Sequence, residues 1–211
     1  MHPQPLTISS HRYSSDEGML DAAMQLLAST PELQTLETFN AVMSCYAERG
    51  DTFDVFGILD HMVLKGISPD CNSYSFAMEA LGKCLHRRRQ LDNPSRVQEN
   101  LDLADRILSM MEVNHVLPST DFVRNYVELL CLVGETKTAD VLVDDMLKQI
   151  PDSVCSKTLY RLAVANAEKG EFERAKQLAS FITDHIPTLM TKIRSRQQRA
   201  HHVKLTTKSI P

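Results

Sequence analysis

The side chains that most often carry chemistry occur in this chain without the spacing that chemistry requires. Five cysteines (Cys45, Cys71, Cys84, Cys131 and Cys155) form no CxxC pair and have no histidine at a zinc-ligand spacing. Small buried thiols in a reducing compartment fit that distribution better than disulfides or a metal. His201 and His202 are adjacent in a polar stretch and make a poor metal pair. No GxGxxG or GxxxxGK[ST] run offers backbone N–H groups to a phosphate, and no HExxH sets two histidines on one helix face. The carboxylate pairs Asp144-Asp145 and Asp102/Asp105 fall on the polar faces of amphipathic stretches, where they are solvated. These patterns imply no catalytic residue, no metal, no cofactor and no small-molecule substrate.

What the charged residues do suit is phosphate. Arg87, Arg88 and Arg89 form one cluster, with Arg96 nearby. From Thr191 onward Lys192, Arg194, Arg196, Arg199, Lys204 and Lys208 occur with no acid among them. Removing these six from the 23 basic residues leaves 17 against all 27 acids in residues 1–190, so an acidic body precedes a basic tail. Each Lys or Arg on a nucleic-acid backbone releases counterions and fixes position without reading sequence. Basic extensions on a compact body are also what ribosome-like assemblies use. A solvated loop is the alternative for the Arg87 cluster.

Helices must position these groups. Apolar residues recur at i, i+3, i+4 and i+7 in Phe39, Val42, Met43, Tyr46 and again in Val55, Ile58, Leu59, Met62. The stripe returns at Tyr74, Ala77, Met78, Leu81; at Ala104, Ile107, Leu108, Met111; and at Val123, Tyr126, Val127, Leu130. It closes with Ala139, Leu142, Val143, Met146; Leu159, Leu162, Ala163, Asn166; and Ala175, Leu178, Ala179, Ile182. First-helix anchors 39, 74, 123 and 159 are 35, 49 and 36 residues apart; second-helix anchors 55, 104, 139 and 175 are 49, 35 and 36 apart. One insertion of 14 residues between Leu81 and Ala104 explains both irregular intervals. Gly50, Gly134 and Gly170 follow first helices, and Pro69, Pro118, Pro151 and Pro187 close second ones.

A hairpin of two amphipathic helices cannot bury both apolar faces alone, whereas stacked hairpins can. The expected fold is therefore all-α, an α-α superhelix (solenoid) of about four helix-turn-helix repeats plus an N-terminal half repeat that opens at Gly18. Residues 1–17 form an extension, residues 18–190 the repeat domain, and 191–211 a basic tail. The repeats lie at about 36–70, 71–119 with an inserted loop at 85–98, 120–155, and 156–190. No apolar run approaches the ~18 residues that span a bilayer, so no membrane is implied. The first fifteen residues hold Arg12, several serines and no acid, a composition like an organelle transit peptide but without a clear amphipathic face.

The segment from Glu37 through Thr38, Phe39, Asn40 and Ala41 to Gly50 resembles the first helix of the pentatricopeptide repeat family. Ile58-Leu59-Asp60-His61-Met62-Val63-Leu64-Lys65-Gly66-Ile67-Ser68-Pro69-Asp70 is similar to that family's repeat ending. Val116-Leu117-Pro118-Ser119 and Met146-Leu147-Lys148-Gln149-Ile150-Pro151-Asp152 echo it. The tetratricopeptide alternative has a 34-residue period and a Trp-bearing signature, and this chain has no Trp.

The resemblance implies single-stranded RNA binding at about one base per repeat. In that family a repeat's fifth and last residues select the base. The first repeat supplies Asn40 and Asp70, which the family associates with uracil. The second supplies Ser75 and Ser119, the third Arg124 with Asp152, Ser153 or Cys155 at its end, and the fourth Tyr160. Phosphate contacts fall to Arg87, Arg88, Arg89, Lys192, Arg194, Arg196 and Arg199. The implied role is a non-catalytic RNA-associated protein of organellar RNA metabolism or translation, in the mitochondrion rather than the plastid. It fits a component of a mitochondrial ribosome or similar ribonucleoprotein, with single-stranded or ribosomal RNA and neighbouring proteins as partners. The alternative is a protein–protein scaffold subunit of a large organellar complex without direct base recognition, which the acidic body favours. The opening half repeat also fits a fragment of a longer repeat protein.

Overall fold

The structure, a computed structural model, describes residues 15–87, 91, 93–182, 191 and 193–199. Its elements in order are α1 (Ser15–Ser29), α2 (Leu36–Arg49), α3 (Thr52–Leu64), α4 (Cys71–Arg87) and α5 (Pro94–Val113). These are followed by α6 (Thr120–Val133), α7 (Thr136–Gln149), α8 (Ser156–Lys169), α9 (Phe172–Ser180) and a short helix α10 over 193–199. Short 3-10 turns at Pro31–Leu33 and Pro151–Ser153 lead into α2 and α8. No strand occurs among the described residues.

The apolar stripes form the core. Every member of the eight stripes is buried except Leu108, Leu142 and Met146, which are partly buried against the others. The first helices α2, α4, α6 and α8 pack on one another in succession, and α3, α5, α7 and α9 each pack on the first helix before them. Arginines tie the outer second helices together. Arg106 of α5 lies 3.0 Å from Asp60 of α3 and 5.7 Å over the Phe56 ring. Arg174 of α9 reaches Asp140 and Asp144 of α7 at 2.9 and 2.8 Å. The chain is thus an all-α solenoid whose inner layer is the row of first helices.

Helix ends follow local chemistry. Thr35, Asn93 and Ser119 accept backbone N–H bonds as caps, and Gly50, Gly134 and Gly170 turn left-handed at φ 68, 85 and 87° to end α2, α6 and α8. At Gly50 a side chain is disfavoured for a second reason, since a Cβ there would sit 2.7 Å from Cys84 N and 2.8 Å from the Lys83 carbonyl carbon unless the backbone shifted.

Three expectations need correction. Much of the segment expected as an inserted loop at 85–98 is helical: α4 runs on to Arg87, and α5 starts at Pro94, because a proline in the first turn lacks only an N–H that has no partner anyway. Gly18 lies inside α1 instead of opening it. Pro69 and Pro118 do not stop α3 and α5, which end five residues earlier at Leu64 and Val113. The stop there is a left-handed residue, Gly66 at φ 74° and His115 at φ 54°, and the prolines instead precede the next first helix.

Candidate nucleic-acid interface

The seams between successive first helices hold most of the residues singled out in the sequence. At the first seam Asn40 of α2 faces Asp70, which caps α4. Asn40 Nδ2 donates to Asp70 Oδ1 at 3.1 Å, and Asn40 Oδ1 accepts from Ser73 Oγ at 2.7 Å. The same carboxylate accepts the backbone N–H groups of Ser73 and Asn72 at 2.9 and 3.0 Å. Burial alone pushes the Asp70 carboxyl up, but these bonds from Ser73, Asn40 and Asn72 together hold it below the usual carboxylate value.

The second seam repeats the geometry with smaller side chains. Ser75 Oγ lies 3.0 Å from Ser119 Oγ, and Ser119 caps α6 by accepting Phe122 N–H at 3.2 Å. Ser75 is only 3% exposed and its hydroxyl also donates to Cys71 O at 2.7 Å. Asn125 of α6 donates to Ser75 O at 3.1 Å. Here the paired positions close on each other, with Ser75 buried and Ser119 partly exposed.

At the third seam Arg124 of α6 is half-buried and paired with Asp121 on its own helix at 2.7 Å. Of the three residues considered for its partner, Cys155 precedes α8 as Asp70 and Ser119 precede α4 and α6. Ser153 is buried with its hydroxyl on Ile150 O, and the Asp152 carbonyl accepts from Thr120. Burial raises the Cys155 thiol, but hydrogen bonds from Thr158 and Lys157 and the nearby Arg124 charge bring it below its usual value.

At the fourth seam Tyr160, with Val164 on the same edge of α8, meets Ser195, Arg196 and Arg199 of α10 across a cavity of about 360 Å³. Arg196 Nη2 pairs with Glu168 of α8 at 2.8 Å, and Ile193 is buried in the common core. Residues expected to form a basic tail on phosphates therefore also pack against α8. Arg194 and Arg199 are exposed. Of Arg87 only its backbone at the end of α4 is described; Arg88, Arg89 and Lys192 lie outside the described residues.

Residues 35–84, spanning α2, α3 and most of α4, match the family described as the pentatricopeptide repeat domain. That segment is similar to one pentatricopeptide repeat and part of the next. A pentatricopeptide repeat-containing protein of Arabidopsis thaliana is 23% identical over 177 residues, 83% of this chain but 22% of that protein. Among solved structures, the pentatricopeptide repeat protein PPR10 in complex with an 18-nucleotide psaJ RNA element superposes with a TM-score of 0.60 at 21% identity. That match covers 87% of this chain and 25% of the other. PPR10 from maize gives 0.59 at 18% identity, over 92% and 27%. These likenesses establish the fold, and the chain spans about a quarter or less of the length of these relatives.

Within this solenoid, sequence reasoning missed two features of the seams. One is that the final residue of a repeat is a helix cap, which Asp70 and Ser119 signal by residue type but Cys155 does not. The other is α10, whose only buried apolar anchor is Ile193, 34 residues after Leu159. Among the described residues no three His, Cys, Asp or Glu side chains converge as metal ligands, and no helix is long and apolar enough to cross a membrane.

Proposed function

We propose that this protein binds single-stranded RNA along the row of first helices, with bases at the seams and phosphates on the basic groups beyond them. The observation that carries the reading is the repeated pairing of a first-helix side chain with the cap of the next first helix, best developed at Asn40 and Asp70. An amide donates and accepts, so it can match a Watson–Crick edge, and the carboxylate holds it in place. Asn40, Asp70, Arg124 and Tyr160 are the base-facing candidates; Ser75 and Ser119 act as a closed seam that passes a base without reading it. Arg194, Arg196 and Arg199, with Arg87, Arg88, Arg89 and Lys192, meet phosphates. The role is non-catalytic and belongs to organellar RNA metabolism or translation. The mitochondrion is the proposed compartment, within a ribosome or similar ribonucleoprotein.

A specific observation also favours the protein-scaffold reading. Much of the cationic charge along the row is already paired: Arg49 with Asp51, Lys83 with Glu79, Arg124 with Asp121, Arg196 with Glu168. Titration of the full chain with labelled U-rich single-stranded RNA at two salt concentrations separates the two. RNA binding predicts an affinity that falls with salt at a slope of about −0.7 per phosphate contact. Absence of binding at low salt, with capture of neighbouring proteins that survives ribonuclease, would establish the scaffold instead.

A further inference from the structure

The outer layer of second helices is tied at two of its seams and open at the one between them. Between α3 and α5, Arg106 spans the gap, 3.0 Å from Asp60 and 5.7 Å over the Phe56 ring. Between α7 and α9, Arg174 reaches Asp140 and Asp144. Among the described residues no ion pair joins α5 to α7. The repeat spacing shows what stands there instead. Second-helix anchors 55, 104 and 139 are 49 and 35 residues apart, so Asp105 and Ser109 of α5 correspond to Phe56 and Asp60, and Val141 of α7 corresponds to Arg106. The bridging cation has become a valine, its ring partner an aspartate and its acid a serine.

This open seam is both apolar and acidic. Val141 is 63% exposed; Val113, one turn beyond Ser109 on α5, is 77% exposed, and Leu117 in the turn after α5 is 73% exposed. Covering such aliphatic groups is favourable by about 25 cal/mol per Å² of apolar surface. The charge around them has one predominant sign. α3, α5 and α7 together carry nine acids and four Lys or Arg, whereas α2, α4, α6 and α8 carry six and seven. Three of those four bases are already paired within the layer, Arg96 with Glu99, Arg106 with Asp60 and Lys148 with Asp145. Asp102, Asp105 and Glu112 of α5 are exposed and have no cationic partner among the described residues.

We propose that the groove between α5 and α7 docks a basic amphipathic helix of a protein partner, with a Lys or Arg of that helix at Asp105 and its aliphatic face on Val113, Leu117 and Val141. The partner's cation takes the place that Arg106 holds at the preceding seam. An acidic groove repels a nucleic-acid backbone, so the occupant is a protein. The surface belongs to the outer layer, not to the row of first helices, and the inference stands whether or not that row binds RNA. Opposite charge steers the encounter and fixes its register, while the aliphatic contacts supply most of the affinity.

The test is fluorescence anisotropy of the full chain with three labelled peptides of about 20 residues, long enough to be helical alone. The first has leucines on one face and arginines on the other, the second replaces the arginines with glutamates, and the third replaces the leucines with serines. The first should bind at least about tenfold more tightly than either of the others. Val113→Ser with Leu117→Ser should weaken it at least about tenfold. Asp105→Asn should weaken it about two- to fivefold, a difference that disappears at high salt. The decisive variant is Ser109→Asp with Val141→Arg, which copies the tie between Asp60 and Arg106 into the open seam. It should abolish peptide binding with no fall in melting temperature, because the chain's own cation then fills the groove. If it melts lower than wild type, the two seams are not equivalent and the site is overturned. Unchanged binding by that variant, equal binding of all three peptides, or no binding of the first at about 100 μM would also overturn it. Displacement of the peptide by oligouridine would assign the groove to nucleic acid, and a dimer in sedimentation that the same double variant dissociates would assign it to a second copy of the chain. Either result would overturn docking of a basic protein helix.

Discussion

The left-handed glycines that end α2, α6 and α8 make a graded test of how closely the first helices stack. Gly50, Gly134 and Gly170 share one backbone conformation, so replacing any of them with alanine incurs the same intrinsic penalty of about 1–2 kcal/mol, reduced by about 0.4–1 kcal/mol because the unfolded chain also loses freedom. Their surroundings differ. A Cβ on Gly170 meets nothing within 4 Å, and one on Gly134 meets only the flexible end of Lys169 at 3.1 Å. A Cβ on Gly50 meets the backbone of α4 at 2.7 and 2.8 Å, and backbone cannot swing aside. Relieving that contact requires the end of α2 to move off α4, with a packing loss of about 1–3 kcal/mol. Gly170→Ala and Gly134→Ala should therefore each cost about 1 kcal/mol, and Gly50→Ala about 2–4 kcal/mol. In a chain of this size that is a fall of about 2–4 °C for the first two and about 5–15 °C for the third. Urea denaturation followed by circular dichroism measures all three. If Gly50→Ala matches Gly170→Ala to within about 0.5 kcal/mol, then α2 and α4 do not approach as described and the stacked row is wrong.

Other consequences follow from single residues. His115 occupies in the second repeat the left-handed position that Gly66 fills in the first, so His115→Gly should raise stability by about 0.5–1 kcal/mol in the same assay; a loss would mean that His115 makes a compensating contact. The Asp70 carboxyl lies below its ordinary value in the fold, so the ionised form favours the folded chain, and that contribution is present above the unfolded value and lost as pH falls through the folded one. Asp70→Asn should accordingly be less stable than wild type at neutral pH, with the gap closing in acid; a gap independent of pH refutes the role given to the charge. Cys131 is pushed up to about 11 by burial, and Cys155 is brought below its usual value by Thr158, Lys157 and Arg124. Iodoacetamide at mildly alkaline pH should modify Cys155 well before Cys131, as read by peptide mass spectrometry, and the reverse order would contradict the cap geometry at α8.

The core was legible because burial has a period. Stripes such as Tyr74-Ala77-Met78-Leu81 occur where they do only because one side of each helix must leave water, and the structure buries that side. The segment around Arg87 to Pro94 misled for an equally physical reason. A basic run followed by proline looks like a loop, yet Arg87 as a good helix former suits the end of α4 and Pro94 suits the first turn of α5. The basic residues after Thr191 hid α10, since one buried isoleucine among arginines gives no stripe. Asn40 and Asp70 were legible as a pair through family resemblance. That they would touch at 3.1 Å, with Asp70 also capping α4, is a tertiary fact that no window of sequence contains.

That double use of the caps limits what the seams can do. A side chain that must satisfy the first N–H groups of a helix is held in one orientation, which is useful for reading a base but leaves it few free lone pairs. Asp70 accepts from Ser73, Asn72 and Asn40, so in the proposed role it acts by holding Asn40, and Asn40 alone retains a donor to offer. Ser75 and Ser119 have gone further and closed on each other. Arg124, neutralised by Asp121, offers stacking more than charge. Under the proposed function, discrimination would then come from little more than one seam, and most of the affinity from phosphate contacts and from Tyr160. The salt dependence of the whole chain's RNA binding should therefore change more on removal of Arg196 and Arg199 than on replacement of Asn40. Preference for uridine over other bases should respond to Asn40 and be indifferent to the arginines.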